Sequence, residues 1–527
     1  MKVKATDSEA RPKAHKKDHS KHATRKQIRG SSLLLFGKFI SVGINFLAQV
    51  LVVRYLSQND YGAWAYALAI VAFFHGFSSL GLFRAVSRFV PIYHEKEEFD
   101  KLFGTIFITF GTIFLIGAMI IGAMYIAPEV ISHLISGENQ PVALVLVLIF
   151  MVPTQALDET LIALFASFSS PKAIFARKFI LGPSIKLIAI LLVMFYQSTV
   201  LMMAYAYLLG NVIAVLFYIW WFIRMLQREG VLKKLDFRNL SFPVVEIFTF
   251  TIPLLTSDLV NVLMHSTDTL LLGYFHNTSE VALYQVILPA AHFNKLVMMS
   301  FALLYTPAAA RLFAKEDYKG INELYWQTAI WVGVLSFPLF ALTFSMAKSL
   351  TLFLYGPRYE VSWVFLQLLS FGYYFNVVTG FNGLTLKVLG KLRYVVIINV
   401  AAVVMCIILN LIFIPLWGAL GASIATTTSM VIHNILKQAG LKMASGLRVF
   451  DWHYLSFYII ITVAALIVFL AQMFLTDNVY VLGALVGIVS LTVLKLTASK
   501  LKVEETFPEI AKLPLMKYLV GRKKSAE

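Results

Sequence analysis

Two stripes of polar side chains, each set in an otherwise apolar stretch, are the residues of this sequence with the clearest chemical potential. One stripe holds Lys38, Ser41, Asn45 and Gln49, and the other holds Asp258, Asn261, His265 and Asp268. Spacings of three and four residues place each stripe on one face of an α-helix, over a length of about 15 Å. An ammonium group on such a face attracts anions, whereas a carboxylate or an imidazole can bind a cation or exchange a proton.

The helices that must carry these stripes are predicted to cross a membrane. Of the 527 residues, 59% are hydrophobic and only 14% are charged, and the mean hydropathy is +0.76. A soluble protein carries about 25% charged residues, so lipid must be the solvent for most of these side chains. The sequence predicts an all-α integral membrane protein with about fourteen transmembrane helices, at residues 31–54, 62–90, 102–126, 141–168, 173–196, 199–224, 244–273, 281–311, 323–347, 361–387, 393–415, 419–441, 455–475 and 479–497.

The basic residues alternate between loops in a way that fits this topology. Outside loops hold only Arg54, Lys348 and Arg358. Inside loops hold Lys96, Lys101, Lys172, Arg177, Lys178, Arg224, Arg228, Lys233, Lys234, Arg238, Lys315, Lys319, Lys391, Arg393, Lys437, Lys442 and Arg448. By the positive-inside rule, both termini are predicted to be cytoplasmic in a multi-pass plasma-membrane (cytoplasmic-membrane) protein. The net charge of +17 therefore follows the topology and does not indicate a nucleic-acid partner.

An internal repeat at an offset near 220 residues organises the chain. Residues 55–64 parallel residues 274–284, since in both places a helix ends, a short turn follows and the next helix opens on an aromatic residue. Two parallel, pseudo-symmetric six-helix bundles with two extra C-terminal helices are predicted, which is a transporter architecture. The expected segments are a disordered basic cytoplasmic tail at 1–30, bundles at 31–225 and 244–442, a cytoplasmic linker at 226–243, helices 13 and 14 at 455–497, and a second tail at 498–527.

The repeat places ionisable groups of different type at corresponding positions. It aligns Lys38 with Asp258, Asn45 with His265, and His75 with Lys295. A charge at the bilayer centre costs about 2.5–3.5 kcal/mol, so it usually faces a cavity or a partner. Ion pairing between helices, for example Lys38 or Lys295 with Asp258, is the alternative to a cavity, and two related stripes favour the cavity. The predicted substrate-binding residues are Lys38, Asn45, His75, Arg84 and Lys295, and the predicted cation-coupling residues are Asp258, His265 and Asp268.

Other chemistry is weakly signalled. Adjacent Asp158 and Glu159 could form a proton site, but an ion pair with Lys186 or Arg177 is the better interpretation. The single cysteine, Cys406, is expected to be a packing residue. The sequence has no Walker loop, no metal-ligand cluster and no Gly-x-Ser-x-Gly motif, so an enzyme, a metal and a cofactor are not predicted. Energy would come from a proton or sodium gradient, the membrane potential or the substrate's own gradient.

Several motifs, in their order along the chain, resemble those of polysaccharide flippases. Arg54 to Gly62 is similar to their R-x-L-S-x-x-x-Y-G turn, and Gly81 to Val90 to the close of their second helix. The most specific block runs from Gly390-Lys391 through Asn410, Pro415 and Gly418 to Thr426, with Ser423 in place of an alanine. The remaining matches are Asp268 to Gly273 followed by Tyr284, and Leu354 to Tyr359. The resemblance covers residues 30 to about 440 and implies the polysaccharide transporter family of the multidrug/oligosaccharidyl-lipid/polysaccharide exporter superfamily.

The resemblance implies a flippase that moves a polyprenyl (di)phosphate-linked oligosaccharide from the cytoplasmic to the outer leaflet by alternating access. Helices 13 and 14 resemble an extra pair that makes a groove for the lipid tail in the lipid II flippases. Two alternatives are a multidrug or cation antiporter of the same superfamily and a non-transporting membrane scaffold. The expected partners are the lipid-linked oligosaccharide, membrane lipids and polysaccharide-assembly proteins, and the chain is expected to be a monomer.

The two acids of the second stripe are expected to differ. They are ten residues apart, about 15 Å along a helix, so they cannot bind one ion together. Asp258 is expected to balance lysine charge, and Asp268 is expected to be satisfied by water. We expect Asp258→Asn to damage transport more than Asp268→Asn.

Overall fold

The structure, a computed structural model of the chain, describes residues 33–34, 36–126, 139–168, 170–446 and 452–501. Within these ranges the chain is helical apart from short turns, and it contains no β-strand. The predicted all-α fold class is therefore confirmed. The tail predicted at residues 1–30 and nearly all of the one predicted at 498–527 lie outside the described residues.

The helices are long and joined by short turns. They are numbered in chain order as α1 Phe36–Tyr55, α2 Gln58–Ser78, α3 Leu82–Glu95, α4 Phe99–Ile126, α5 Pro141–Ser167, α6 Pro171–Phe195, α7 Val200–Arg228, α8 Val244–Phe275, α9 Thr278–Ala314, α10 Tyr318–Ser345, α11 Ala347–Tyr355, α12 Ser362–Val388, α13 Leu392–Ser445, α14 Leu455–Phe474 and α15 Val479–Leu501. Three of these helices have a side-chain cap at the N-terminus. Thr199, Asn277 and Asp317 accept hydrogen bonds from backbone N–H groups of α7, α9 and α10 that have no partner within the helix.

Twelve helices among the described residues are long and apolar enough to cross a membrane. One of these, α13, has 54 residues and contains Gly418, whose φ of 53° and ψ of −128° are not helical. A residue with a side chain rarely adopts this conformation, so Gly418 joins two helices. If the two arms of α13 are counted separately and the 32-residue helix α8 is added, the twelve become fourteen. The exact number of transmembrane helices stays a prediction.

The predicted span at residues 62–90 is not one helix. Two consecutive left-handed residues, Leu80 with φ 42° and Gly81 with φ 66°, end α2 and begin α3. The left-handed conformation cannot continue a right-handed helix, and glycine tolerates it without steric cost. As a result α3 is a separate amphipathic helix that buries Leu82, Val86 and Val90 on one side.

The chain forms two compact units, each with its own apolar core. Among the described residues, unit 1 comprises those up to Leu51, those within 74–123 and those within 147–255, and unit 2 comprises those within 52–73, those within 124–146 and those from Thr256 onward. The unit 1 core is built on α3, α4, α5 and α7, and the large unit 2 core on α9, α10, α12, α14 and α15.

Within unit 2, corresponding helix ends occur at the repeat offset. Helix α1 ends at Tyr55 and α8 ends at Phe275, while α2 begins at Gln58 and α9 begins at Thr278, so both pairs are 220 residues apart. The two starts touch, because Gln58 Nε2 donates to Ser279 Oγ at 2.6 Å. A Cβ at Gly62 would lie 1.7 Å from the carbonyl oxygen of Thr278, so only glycine permits this approach.

Two arginines of the flippase-like motifs fasten the adjoining turns of unit 2. Arg54 Nε donates to the carbonyl of Leu354 at 2.8 Å. In return Arg358 donates to the carbonyls of Leu56 and Arg54, at 2.6 and 3.2 Å. These reciprocal contacts explain why arginine occurs in both turns, since a guanidinium presents several donors in a fixed geometry.

Candidate functional site

A polar cavity of about 300 Å³ lies within unit 1. The first stripe reaches it through Ser41 and Asn45, and α2 contributes His75. The other lining residues are Gln155, Asp158, Glu159, Ile162, Arg177, Lys178, Gly182, Pro183, Lys186, Gly210, Asn211 and Ala214. Most of these side chains are polar, so the cavity suits a hydrophilic ligand rather than an acyl chain.

A buried ion pair crosses this cavity. Arg177 Nη2 lies 2.9 Å from Asp158 Oδ1, and the arginine side chain is only 5% exposed. Arg177 Nε also donates to the carbonyl of Ala214, and its guanidinium lies 5.4 Å from the ring centroid of Tyr218. The predicted ion pair of Asp158 with Arg177 is thus confirmed, and Arg177 belongs to α6 rather than to a loop.

A π-helical segment, Phe175–Leu181, positions Arg177 within α6. Such wide turns are rare and often occur at functional sites. Gly182 follows directly, and a Cβ there would lie 2.5 Å from Arg177 Nη1. The guanidinium therefore occupies the space that a larger residue at position 182 would fill.

The other candidates in unit 1 have modest contacts. His75 Nε2 lies 3.6 Å from Glu159 Oε2, and the Asn45 amide donates to the carbonyl of Ser41 at 2.8 Å. Lys38 is half-buried on α1, near enough to Lys178 for the two charges to repel each other. Arg84 lies on α3 with its guanidinium 5.1 Å from the ring centroid of Phe83.

In unit 2, residues from two of the flippase-like motifs meet at a buried carboxylate, Asp268. Asp268 is 4% exposed and accepts hydrogen bonds from Tyr284, Thr426 and Asn410, at 2.7, 2.7 and 2.5 Å. The expectation that water satisfies Asp268 is therefore wrong, because protein donors surround it. Cys406 accepts a 3.5 Å contact from the same Asn410 amide, which fits a packing role.

Three lysines line two cavities of about 220 and 300 Å³ in unit 2. Lys295 and Lys437 line both cavities, and Lys387 lines the second. The Lys295 ammonium lies 4.0 Å from the ring centroid of Tyr373, whose hydroxyl is 2.7 Å from His292 Nε2. In the described part of the chain, no carboxylate lies within 4.0 Å of these three ammonium groups.

An amide next to the lysines holds α12 to α13. Asn434 Oδ1 accepts hydrogen bonds from Asn376 at 2.9 Å, Asn382 at 3.2 Å and Thr379 at 3.4 Å. Polar residues of this kind bind transmembrane helices together. They keep the break between Val378 and Asn382 in α12 close to the cavity wall that carries Lys437.

An aromatic groove of about 760 Å³ lies within unit 2. It is bounded by α10, α12, α13 and α14, and its wall is almost entirely apolar. The groove is lined by Trp326, Phe340, Phe344, Phe371, Tyr374, Phe375, Tyr458, Ile461, Leu466 and Phe469 among others. Helix α14 is one of the two helices that the sequence predicted outside the repeat.

Sequence analysis missed two of the three unit 2 lysines. It assigned Lys437 to an inside loop and gave Lys387 no role, whereas both lie on helices. Spacing could have revealed Lys437, since His433 and Asn434 precede it by four and three residues. The side chains of Asp258, Asn261 and His265 lie outside the described residues, so their predicted roles stay predictions.

Comparison with known proteins gives the family. Residues 51–364 match the model of the family described as polysaccharide biosynthesis protein. A Shigella flexneri relative named "Putative O-antigen transporter" is 22% identical over 419 residues, which cover 78% of this chain and 96% of the relative.

Two solved structures share the fold. The lipid II flippase MurJ in an inward closed conformation aligns with a TM-score of 0.66 at 15% identity, over 89% of this chain and 99% of that one. An inward-facing multidrug resistance transporter of the MATE family aligns with a TM-score of 0.62 at 15% identity, over 77% and 95%. The chain therefore shares the fold of these two structures and belongs to the polysaccharide biosynthesis protein family.

Proposed function

We propose that this transporter moves a polyprenyl diphosphate-linked oligosaccharide from the cytoplasmic to the outer leaflet by alternating access. The observation that carries this proposal is the group of three lysines in unit 2 without a carboxylate within 4.0 Å among the described residues. Unpaired charges are costly in a membrane protein, so Lys295, Lys387 and Lys437 need an anionic ligand. A diphosphate supplies adjacent negative oxygens that several ammonium groups can share.

The aromatic groove supports a lipid-linked substrate. A polyprenyl tail is a long apolar chain, and the groove of about 760 Å³ offers it a wall of aromatic and aliphatic side chains. Trp326 and Gln438 line this groove, and Asn434 lines both the groove and the smaller lysine cavity. A substrate with its tail in the groove could therefore place its polar headgroup next to the lysine cavity, on the side where Asn434 lines both.

We propose that transport is driven by the gradient of a cation that binds at Asp268. Besides its carboxylate, this place offers the hydroxyl of Thr426 and the Oδ1 atom of Asn410, which is buried and accepts no hydrogen bond from a described residue. Oxygen ligands of this type suit sodium, and the carboxylate could exchange a proton instead.

The coupling is tested in proteoliposomes with imposed sodium or proton gradients. Asp268→Asn should abolish the gradient dependence of transport, and Glu316→Gln, an exposed carboxylate, should keep it. Asp258→Asn is measured in parallel, which tests the sequence-based expectation that it lowers transport more than Asp268→Asn. Unchanged gradient dependence in both aspartate variants would exclude α8 from coupling.

The function itself is tested by reconstitution. Wild-type proteoliposomes loaded on one leaflet with a polyprenyl diphosphate-linked oligosaccharide should expose its sugar to a lectin on the opposite side. A multidrug antiporter would instead accumulate a lipophilic cation such as ethidium, and a scaffold would move neither compound. Ethidium transport without lipid flipping would replace our proposal with the antiporter.

A further inference from the structure

The unit 1 cavity carries more positive than negative charge. Arg177, Lys178 and Lys186 line it from α6, against Asp158 and Glu159 from α5. Asp158 is neutralised by Arg177 at 2.9 Å, and Glu159 lies 3.6 Å from the imidazole of His75. Lys178 and Lys186 then face one remaining carboxylate, Glu159, so the cavity carries a net charge of +1, and within the described ranges neither lysine has a carboxylate within 4.0 Å.

Lys38, on α1, does not line the cavity, but its charge repels that of Lys178. The Lys186 ammonium lies 5.0 Å from the ring centroid of Tyr207, a cation–π contact that leaves its charge in place. The net positive charge of the cavity is therefore available to an anionic ligand.

The neutral lining of the cavity points to a ligand rich in hydroxyl groups. Asn211 is only 7% exposed, and its side chain has no hydrogen-bond partner among the described residues. The Gln155 amide, which lines the cavity from α5, has none either in that part of the chain. Both amides can donate and accept hydrogen bonds, so a ligand rich in hydroxyl groups could bind them.

The size of the cavity limits the ligand further. About 300 Å³ is at the lower end of the range for small-ligand pockets. It suits one sugar ring rather than an oligosaccharide. The mostly polar wall also distinguishes this cavity from the aromatic groove of unit 2, which is suited to a hydrocarbon chain.

We propose that the unit 1 cavity binds one acidic sugar of the transported glycan, with a uronic acid carboxylate held by Lys178 and Lys186. Asn211 and Gln155 bind the ring hydroxyls, and the ion pair of Arg177 with Asp158 keeps the cavity wall in place. This inference rests on the proposed flippase function and adds that the glycan itself is anionic, in addition to its diphosphate.

The test compares two lipid-linked substrates that differ in one group. Proteoliposomes are supplied with a polyprenyl diphosphate-linked oligosaccharide that contains glucuronic acid, or with the same lipid that contains glucose at that position. The wild-type protein should flip the glucuronic acid form about tenfold faster at limiting substrate, because charge-assisted hydrogen bonds are stronger than neutral ones.

Variants then assign the preference to the cavity. The Lys178→Gln/Lys186→Gln double variant should lower the acid-to-neutral ratio to near one, and Lys178→Arg/Lys186→Arg should restore most of it. Lys172→Gln, at an exposed lysine of the same helix that does not line the cavity, is the matched control and should keep the wild-type ratio. Thermal unfolding of each purified variant separates a loss of preference from a loss of folded protein.

Two results would overturn the inference while the proposed function stands. One is equal flipping of both lipids by the wild-type protein, and the other is an undiminished ratio in a folded Lys178→Gln/Lys186→Gln protein. Failure of the wild-type protein to flip either lipid would contradict the proposed function itself, and this inference with it.

Discussion

Units 1 and 2 both bury charge, but they compensate it in opposite ways. In unit 1 the buried carboxylate Asp158 faces a cation, Arg177, at 2.9 Å. In unit 2 the buried carboxylate Asp268 accepts hydrogen bonds from the neutral side chains of Tyr284, Asn410 and Thr426. Lys295, Lys387 and Lys437 of unit 2 have no carboxylate within 4.0 Å among the described residues.

This difference separates structural charge from ligand-binding charge. In a buried ion pair with additional hydrogen bonds, each charge is already compensated, and removal of one partner leaves the other as an uncompensated buried charge. A lysine without a counter-ion is instead a functional candidate inside a membrane. On this basis the Asp158–Arg177 pair is mainly architectural, whereas Lys295, Lys387 and Lys437 are the residues that we propose bind the diphosphate of the substrate.

The largest effect is expected for transport at the unit 2 lysines. Lys295→Ala and Lys437→Ala should each lower the rate of flipping about tenfold to a hundredfold, because each removes a charge-assisted contact worth about 1.5–3 kcal/mol. Lys295→Arg should do less harm, since the positive charge is retained. Flipping is measured in proteoliposomes at matched protein levels.

Lys442→Gln is the control for these lysine variants. This residue lies on the same helix as Lys437, is exposed and lines neither lysine cavity. Its flipping rate should equal that of the wild-type protein. An equal loss of flipping rate in Lys442→Gln and Lys437→Ala would show that transport depends on basic residues in general. It would contradict a specific role for the lysines that line the two cavities.

The next effect is on stability, in unit 1. Arg177→Gln should destabilise the protein by about 3 kcal/mol, because it strands the mostly buried Asp158 carboxylate. The double variant Arg177→Gln/Asp158→Asn should recover much of that loss. Thermal unfolding in detergent gives both values, and a double variant no more stable than Arg177→Gln would show that the pair does not act as a unit.

The smallest effect is expected at the glycine beside this pair. Gly182→Ala places a Cβ 2.5 Å from Arg177 Nη1, so the guanidinium must shift. A loss of about 1–2 kcal/mol in the free energy of unfolding is expected, as for other overpacked sites. Gly43→Ala, in a helix with no atom within 4 Å of the added Cβ, is the control and should be neutral or slightly stabilising.

Local sequence patterns predicted the helices well but not their irregularities. Hydropathy and basic-residue alternation predicted the helical spans, because both act over windows of about 20 residues. The left-handed break at Leu80 and Gly81 and the π-helical turn around Arg177 were not predicted. Each depends on one or two backbone conformations that packing selects.

The sequence identified individual residues of the site but not the contacts between them. The resemblance named Asp268 with Tyr284 in one motif and Asn410 with Thr426 in another, and only the structure shows that they meet at one carboxylate. Lys437 was counted with the inside-loop residues although the predicted span 419–441 contains it. Whether a polar residue serves packing or binding depends on neighbours that are distant in sequence, as for Asn376, which donates to Asn434.

The central claim, that Lys295, Lys387 and Lys437 of unit 2 bind the diphosphate, is tested most directly by affinity. Binding of polyprenyl diphosphate and polyprenyl monophosphate to the purified protein is measured for the wild type and for Lys295→Gln/Lys437→Gln. The account predicts at least tenfold tighter binding of the diphosphate by the wild type and near-equal, weak binding of both lipids by the double variant. A folded double variant that keeps the wild-type preference for the diphosphate would contradict it.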